Sequence, residues 1–316
     1  MDEGGQKNFL EQEGKITSPS TLKYILKERG LHPRRSLGQH FLVDENILHK
    51  ILAAAMLDKN DLVIDIGSGP GALSLMLAKM VAGVIAIEWD RGLAAFLREQ
   101  ANNLGYNHLY VIEGDVRRLN LGKICCKIWG KRFSADGNGR HIKVVANLPY
   151  YLTTPLLFQL LQEKEPEIKL LVLMVQLEVA QRIIAGPGKK DYGVLSLLCR
   201  YYTEPEFLFK VSRNVFYPPP AVDSAVVALR VLPQPPFKVF DEGIFWEIVK
   251  AVFQKRRKIL SNALNGVQGL NKKGWERLLI QAKISPSARG ESLSLEEFAN
   301  VANLFYNNKK SKQHFC

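Results

Sequence analysis

The sequence predicts an α/β protein, a mostly parallel sheet covered by helices and followed by a small helical domain. Three observations predict it. Between residues 62 and 175, five short and nearly all-apolar runs alternate with stretches whose apolar residues recur at helical spacing. The segment Pro233-Gln234-Pro235-Pro236 cannot continue a central strand and reads as a linker. Beyond it, helical periodicity dominates from residue 242 to residue 308.

The elements follow in order. Residues 1–17 read as a loose polar leader. Ser18-Pro19 has the form of a helix start, with Ser at the cap and Pro in the first turn, and Gly30 ends that helix. Ile47, Leu48, Ile51 and Leu52 place a second helix between residues 44 and 56. The apolar runs 62–66, 84–88, 109–112, 143–146 and 170–175 are strands buried on both faces, which implies parallel pairing under helices. Residues 206–211 and 225–231 form a closing antiparallel pair, connected through a proline-rich loop at 216–221. The stretch 122–141 is polar, glycine-bearing and basic, and is expected as an exposed loop or frayed helix. The helical region is interrupted near 266–269 and 285–290. The expected domains are therefore the leader 1–17, an α/β domain at 18–232, a helical domain at 237–307 and a tail at 308–316.

Charge is unevenly placed. The chain carries a formal +12, and residues 250–316, with 13 Lys or Arg against 4 Glu, hold +9 of it. A basic C-terminal quarter on a near-neutral body suits a polyanion, most simply nucleic acid, or else a solubilising surface. Cys125, Cys126, Cys199 and Cys316 form no CxxC pair and no His/Cys set, so neither a zinc site nor a disulfide framework is expected. The acidic start (Asp2, Glu3, Glu11, Glu13) lacks the pattern of a signal or transit peptide. The long uncharged stretch 144–162 is broken by Asn147, Pro149 and Pro155, so no membrane span or membrane partner is expected, and a cytoplasmic setting fits. The six histidines fall in no ligand or triad spacing, and no metal site is expected.

The first chemistry-bearing motif is Asp65-Ile66-Gly67-Ser68-Gly69-Pro70-Gly71, which follows a strand and opens a helix. Glycines at such a turn let backbone approach a ligand and take dihedrals other residues resist. The next strand ends at Glu88, placed to bind ribose hydroxyls. Gly67-x-Gly69-x-x-Ala72 satisfies a relaxed dinucleotide pattern, which keeps NAD in play. Pro70, however, removes one backbone N–H from a loop that would otherwise offer it to phosphate. A cofactor with ribose and base but no phosphate, such as S-adenosylmethionine, tolerates this better. A third strand end gives Gly114-Asp115, a carboxylate able to accept from an adenine amine or to cap the next segment.

The most specific signal is Asn147-Leu148-Pro149-Tyr150, directly after the fourth strand. A conjugated amine is a poor nucleophile because its lone pair is delocalised into the ring. Accepting both of its N–H bonds favours a pyramidal, more nucleophilic nitrogen. Asn147 offers a side-chain oxygen for this and Leu148 a carbonyl, aimed with the help of Pro149, while Tyr150 offers a face for a base to stack on.

These motifs, with Gly38-Gln39-His40-Phe41-Leu42, the segments 214–227 and 253–264, and Arg289-Gly290-Glu291-Ser292-Leu293, occur in an order that closely resembles the ribosomal RNA adenine N6-dimethyltransferases, the KsgA family. The resemblance spans roughly residues 18–307. It implies a Rossmann-like S-adenosylmethionine-dependent methyltransferase sheet. It also implies dimethylation of two adjacent adenines near the 3′ end of small-subunit ribosomal RNA, within the assembling small subunit, by a monomer. Carried over by position, His40 and Leu42 would contact the methyl donor, S-adenosylmethionine, with the Gly67 loop beside its methionine portion, Glu88 at its ribose and Asp115 at its adenine. Asn147 would touch cofactor and target amine, with Leu148 beside it. Tyr150 would stack on the flipped base and Phe216 would cover its other side from an exposed proline-rigidified loop. That position is often Asn in the family, so the His40 backbone rather than its side chain is the part expected to serve. Lys255, Arg256, Arg257 and Lys258, expected on one helical turn, would clamp phosphates. Alternatives are an erythromycin-resistance-type enzyme acting on large-subunit RNA, a non-catalytic assembly factor, and an NAD-dependent oxidoreductase.

Overall fold

A computed structural model of the chain describes residues 16–34, 38–130, 141–163 and 166–313. Contacts group the described residues up to 180 with 205–231, and 181–204 with those from 232 onward. The leader residues 1–15, the centre of the basic stretch at 131–140 and residues 314–316 lie outside the described set.

The first unit begins with α1 (Pro19–Glu28), β1 (Phe41–Leu42) and α2 (Glu45–Ala54). The strand–helix alternation continues through β2 (Leu62–Ile66), α3 (Ala72–Ala78), β3 (Gly83–Glu88), α4 (Arg91–Asn103), β4 (Leu109–Glu113), α5 (Leu121–Trp129), β5 (Ile142–Asn147), α6 (Thr153–Gln162) and β6 (Ile168–Gln176). Its helices start where the sequence offers caps: the Asp44 carboxylate accepts from Ile47 N–H, and that of Asp90 from Gly92 and Leu93 N–H. Gly71, at φ +97°, opens α3.

After α7 (Leu177–Ile184) and α8 (Val194–Tyr202), the sheet is completed by β7 (Thr203–Val211) and β9 (Ser224–Val231), and β8 (Phe216–Tyr217) pairs separately with β1. The seven-stranded sheet runs β4-β3-β2-β5-β6-β9-β7. Its first five strands are parallel, and β9 lies antiparallel to β6 with Val172 opposite Ala228. Every residue of β2 and β3 is buried, as the unbroken apolar runs require of strands covered on both faces. Among the described residues no helix is long and apolar enough to cross a membrane.

The second unit contains α8, α9 (Glu242–Gln254), α10 (Leu260–Leu264), α11 (Lys272–Gln281) and α12 (Leu295–Gln313). Trp275 stacks on Phe305 with ring centroids 5.3 Å apart, and Tyr201 on Phe245 at 5.2 Å. Residues 181–204 thus pack with the C-terminal helices, a departure from the boundary drawn at the proline linker. The reason is chemical: Tyr202 donates to Glu242 at 2.7 Å and the buried Tyr192 to the Leu293 carbonyl at 2.8 Å.

Two local expectations are settled. Of the two forms expected from residue 122 onward, exposed loop or frayed helix, residues 121–129 take the helix, capped by Asn120 and packed through the buried Cys125 and Trp129. The basic run 255–258 is not helical: α9 ends at Gln254 and the chain turns through Lys255–Lys258 before α10, with a 2.8 Å backbone bond from Lys258 N–H to Lys255 O.

One charged cluster is buried at the lower edge of the sheet. Lys143 on β5 meets the Asp61 carboxylate at 2.7 Å and donates to the carbonyls of Ala55 and Met56 just after α2. Lys143 is 10 % and Asp61 2 % exposed at the side chain. Breaking such a pair from one side strands a buried charge. Lys143→Met is expected to destabilise the fold by about 3–5 kcal/mol in urea unfolding, and adding Asp61→Asn to recover part of that loss.

Candidate active site

The strand order converts four separated sequence positions into neighbours. Because β4, β3, β2 and β5 lie side by side, their carboxyl ends bring Asp115, Glu88, the Gly67 loop and Asn147 into one row. Open α/β sheets bind ligands at this edge. A cavity of about 1000 Å³, part of it open to solvent, is lined there by Glu88, Asp115, Leu148 and Tyr150 and by the strip from Gly38 to Leu42. Gly67 and Asn147 also line it.

The glycine loop is shaped by backbone. Gly67 and Gly69 hold φ of +73° and +55°, and Gly67 N–H donates to the Ile87 carbonyl at 2.8 Å. A Cβ on Gly67 would lie 2.8 Å from Cδ of Pro149, so the loop after β2 presses directly on the turn after β5. Glu88 is 6 % exposed and accepts backbone N–H bonds from Gly69 and Asp90, both at 2.8 Å. Burial raises its pKa and those two bonds oppose the rise. Each carboxylate oxygen keeps a lone pair for a ribose hydroxyl. The Ser68 hydroxyl, buried beside the cavity, has no hydrogen-bond partner among the described residues. An orphaned donor and a shielded acid fit the polar, phosphate-free body of S-adenosylmethionine.

Asp115 caps the short turn after β4, as its sequence position allows, accepting from Arg117 N–H at 3.1 Å. The Arg117 guanidinium holds the same carboxylate, and these bonds pull its pKa down.

The turn after β5 is tied to the N-terminal strip. Asn147 Nδ2 donates to the His40 carbonyl at 3.1 Å, which leaves the amide oxygen as an acceptor. Leu148 N–H donates to Met174 O at 3.1 Å, anchoring the turn on β6. Tyr150 shares a 2.9 Å hydrogen bond with Ser224 and stacks against His40, centroids 5.7 Å apart. His40 Nδ1 lies 2.7 Å from the Pro218 carbonyl, which can only accept, so that nitrogen carries the proton. The His40 side chain therefore has a defined position, braced between Tyr150 and the proline loop.

Phe216 departs from expectation. It is 3 % exposed, packs in the main core, and pairs with Leu42 across β1 and β8. The following prolines do not hold it out on an exposed loop, because Val43 N–H to Val215 O ties this segment against the strip. Phe216 supports the wall behind Leu42 and does not line the cavity.

Sequence reasoning missed Trp89 and Tyr151, which line the cavity and are 46 % and 41 % exposed. Their signal was adjacency to Glu88 and Tyr150. Asp65, which opens the glycine motif, is 1 % exposed and hydrogen-bonded by Ser74, a buried position that the motif does not by itself reveal.

The Ribosomal RNA adenine dimethylase family matches residues 30–307. The chain belongs to this family. Relatives named "Ribosomal RNA small subunit methyltransferase A" include one from Pelotomaculum thermopropionicum, 45 % identical over 292 residues, covering 92 % of this chain and 97 % of the relative. Another, from Bacillus cereus, is 41 % identical over 299 residues, covering 94 % and 99 %. A crystal structure of a dimethyladenosine transferase from Plasmodium falciparum superposes with a TM-score of 0.70 at 26 % identity, covering 86 % of this chain and 98 % of that one. The 23S rRNA methyltransferase ErmE shares the fold, with TM-score 0.58 and 24 % identity over 84 % and 98 % of the two chains. The family match spans every residue that lines the cavity, on a Rossmann-like sheet shared with these structures.

Asp65 supplies a pH test of this edge. Burial, reinforced by Glu88, raises its pKa from 3.8 to about 7 against the Ser74 hydrogen bond. Between those values the folded protein retains a proton that the unfolded chain has lost, so stability falls as pH rises through this window and levels above it. Urea unfolding at a series of pH values should show wild type losing stability relative to Asp65→Asn between about pH 4 and pH 7; parallel profiles would contradict the buried neutral acid.

Proposed function

We propose that this enzyme transfers methyl groups from S-adenosylmethionine to N6 of adenines in small-subunit ribosomal RNA. It does so twice on each of two adjacent adenines near the 3′ end, during subunit assembly in a bacterial-type cytoplasm, and acts as a monomer. The observation that carries the reading is Asn147. Its amide nitrogen is committed to the His40 carbonyl and its oxygen is left to accept, at the end of the strand beside the glycine loop.

The bound cofactor supplies an electrophilic sulfonium methyl. The protein's residues supply the rest. Glu88 takes the ribose hydroxyls, Asp115 the cofactor's adenine, and the backbone of the Gly67 loop, with His40 and Leu42, flanks the methionine portion. The target adenine must leave its stack, at a cost of a few kcal/mol, before N6 can reach the methyl. Tyr150 gives it a stacking face, returning about 1–3 kcal/mol. In the first transfer Asn147 and the Leu148 carbonyl accept its two N–H bonds, localising the nitrogen lone pair for attack as the S–C bond breaks; the methylated nitrogen then loses one proton to water, and its remaining N–H keeps one of these acceptors for the second transfer. No nucleophile or triad is required, because positioning supplies most of the acceleration.

In this reading the sheet-bearing part of 18–232 is the catalytic domain, and the helical region 237–307, with the residues 181–204 that pack on it, docks RNA. Arg256 pairs with Glu291 at 2.9 Å and donates to the Lys190 carbonyl, while Lys255 donates to Ala263 O at 3.2 Å. Phosphate contact therefore falls to the exposed Arg257 and Lys258.

Asn147→Ala should lower methyl transfer by at least about 10²-fold, the usual loss for one positioned polar contact, with S-adenosylhomocysteine binding little changed. Labelled donor incubated separately with unmodified small and large subunits reads both rate and target. Transfer to large-subunit RNA alone would favour the erythromycin-resistance-type alternative. A second expectation concerns docking: Arg257→Ala with Lys258→Ala should weaken RNA binding and reduce the log–log salt slope by about 0.7–0.9 per cation removed. An unchanged slope would place the phosphate contacts elsewhere.

A further inference from the structure

Asp115 is gripped at both oxygens by Arg117 in this structure. Its Oδ1 accepts from Arg117 N–H at 3.1 Å and from Nε at 2.9 Å, and its Oδ2 accepts from Nε at 3.1 Å and from Nη2 at 2.6 Å. Three N–H groups of Arg117 thus hold the carboxylate, with the single Nε–H shared between its two oxygens, so an adenine amine has to compete with the guanidinium for Asp115. The same guanidinium lies 5.8 Å from the ring centroids of both Trp89 and Tyr151, the two exposed aromatics that line the cavity at this end. Its side chain is 42 % exposed and adjoins a second cation, Arg118. It is thus a solvent-accessible fork resting on the rim of the pocket, held by the group that the cofactor needs.

From this arrangement we infer that Arg117 is an exchangeable strap, gripping Asp115 while the pocket is empty and turning to a phosphate of the RNA strand when the cofactor's adenine takes Asp115. The inference rests on the proposed seat of that adenine at Asp115. Planar, bidentate recognition suits the guanidinium equally to carboxylate and phosphate, so the exchange replaces one forked partner by another. Because each ligand then releases what the other needs, RNA and cofactor help each other bind, by the same factor in both directions. The aromatic faces of Trp89 and Tyr151 keep the cation at the rim during the exchange.

Calorimetry with S-adenosylhomocysteine, which cannot react, tests this on the full-length protein with and without unmethylated small subunits. Wild type should bind it more tightly with subunits present, by about fivefold or more. Arg117→Ala should bind it more tightly than wild type without subunits, bind subunits more weakly, and show no mutual enhancement. Arg117→Lys, which keeps the charge but not the fork, should also release Asp115 while retaining most of the subunit affinity. A simple structural defect would weaken both ligands together. If Asp115→Asn leaves S-adenosylhomocysteine affinity unchanged, the adenine seat itself is wrong and the inference falls with it. If Asp115→Asn weakens binding but Arg117→Ala does not tighten it, or retains the enhancement, the strap alone is refuted.

Discussion

The site depends on one close approach, that of the loop after β2 to the turn after β5. Hydrogen in place of a side chain at Gly67 is what allows it, since any Cβ there would meet the Pro149 ring at 2.8 Å. The contact makes the two halves of the chemistry share a wall. In the proposed mechanism the glycine loop serves the cofactor and the Asn147 turn the target amine, so the position of one sets that of the other. A phosphate-binding role is not needed to explain the glycine; crowding between adjacent strand ends is sufficient. Gly69 has a related constraint, with Phe41 of the N-terminal strip 3.0 Å from where its Cβ would sit. The strip, loop and turn are therefore fitted against one another with little slack, and within such packing a displacement of one is felt by the others.

Around that contact, charge is held in two contrasting ways. Asp65 and Glu88 are buried and acidic beside one another, and both have raised pKa values, chiefly through desolvation. Glu88 is kept useful by two backbone N–H bonds, while Asp65 is satisfied by the Ser74 hydroxyl and stays within the wall. Asp115 lies at the rim and takes the opposite shift because a guanidinium grips it. The result is a gradient from a shielded interior, suited to neutral hydroxyls, to an ionised rim in contact with solvent and accessible to RNA.

Much of this was legible in the sequence where a pattern is local. The run Leu62–Ile66 is a strand over those very residues, and Asp115 caps its turn as a carboxylate at a strand end should. The row of site residues also followed, because parallel strands place all their carboxyl ends on one edge. What the sequence left hidden depends on partners distant in the chain. Phe216 sits beside three prolines that suggest exposure, yet its burial is decided by a strand pairing with Leu42, 174 residues away. The basic run 255–258 has helical composition, but α9 stops before it, and Arg256, though exposed, is paired with Glu291. Residues 181–204 pack according to aromatic rings beyond the linker, which no local period records. Tyr151 and Trp89 carried no pattern of their own.

The identity of residue 147 shows how such distant partners constrain chemistry. A side chain there faces the His40 carbonyl at 3.1 Å and must donate to it. Asp or Glu would set an acceptor against an acceptor, and a hydrophobic residue would leave that carbonyl without its donor. Lys would donate but has no oxygen to offer an amine. Asn does both with one planar group, and the donated bond fixes which end remains for the substrate. The His40 carbonyl is itself fixed, since its residue is braced by Tyr150 and by the Pro218 carbonyl, and the neighbouring strand β1 is paired with β8. In the proposed mechanism Pro218, one of the prolines after Phe216, thus bears on the reaction through its carbonyl, which holds the strip that orients the amide.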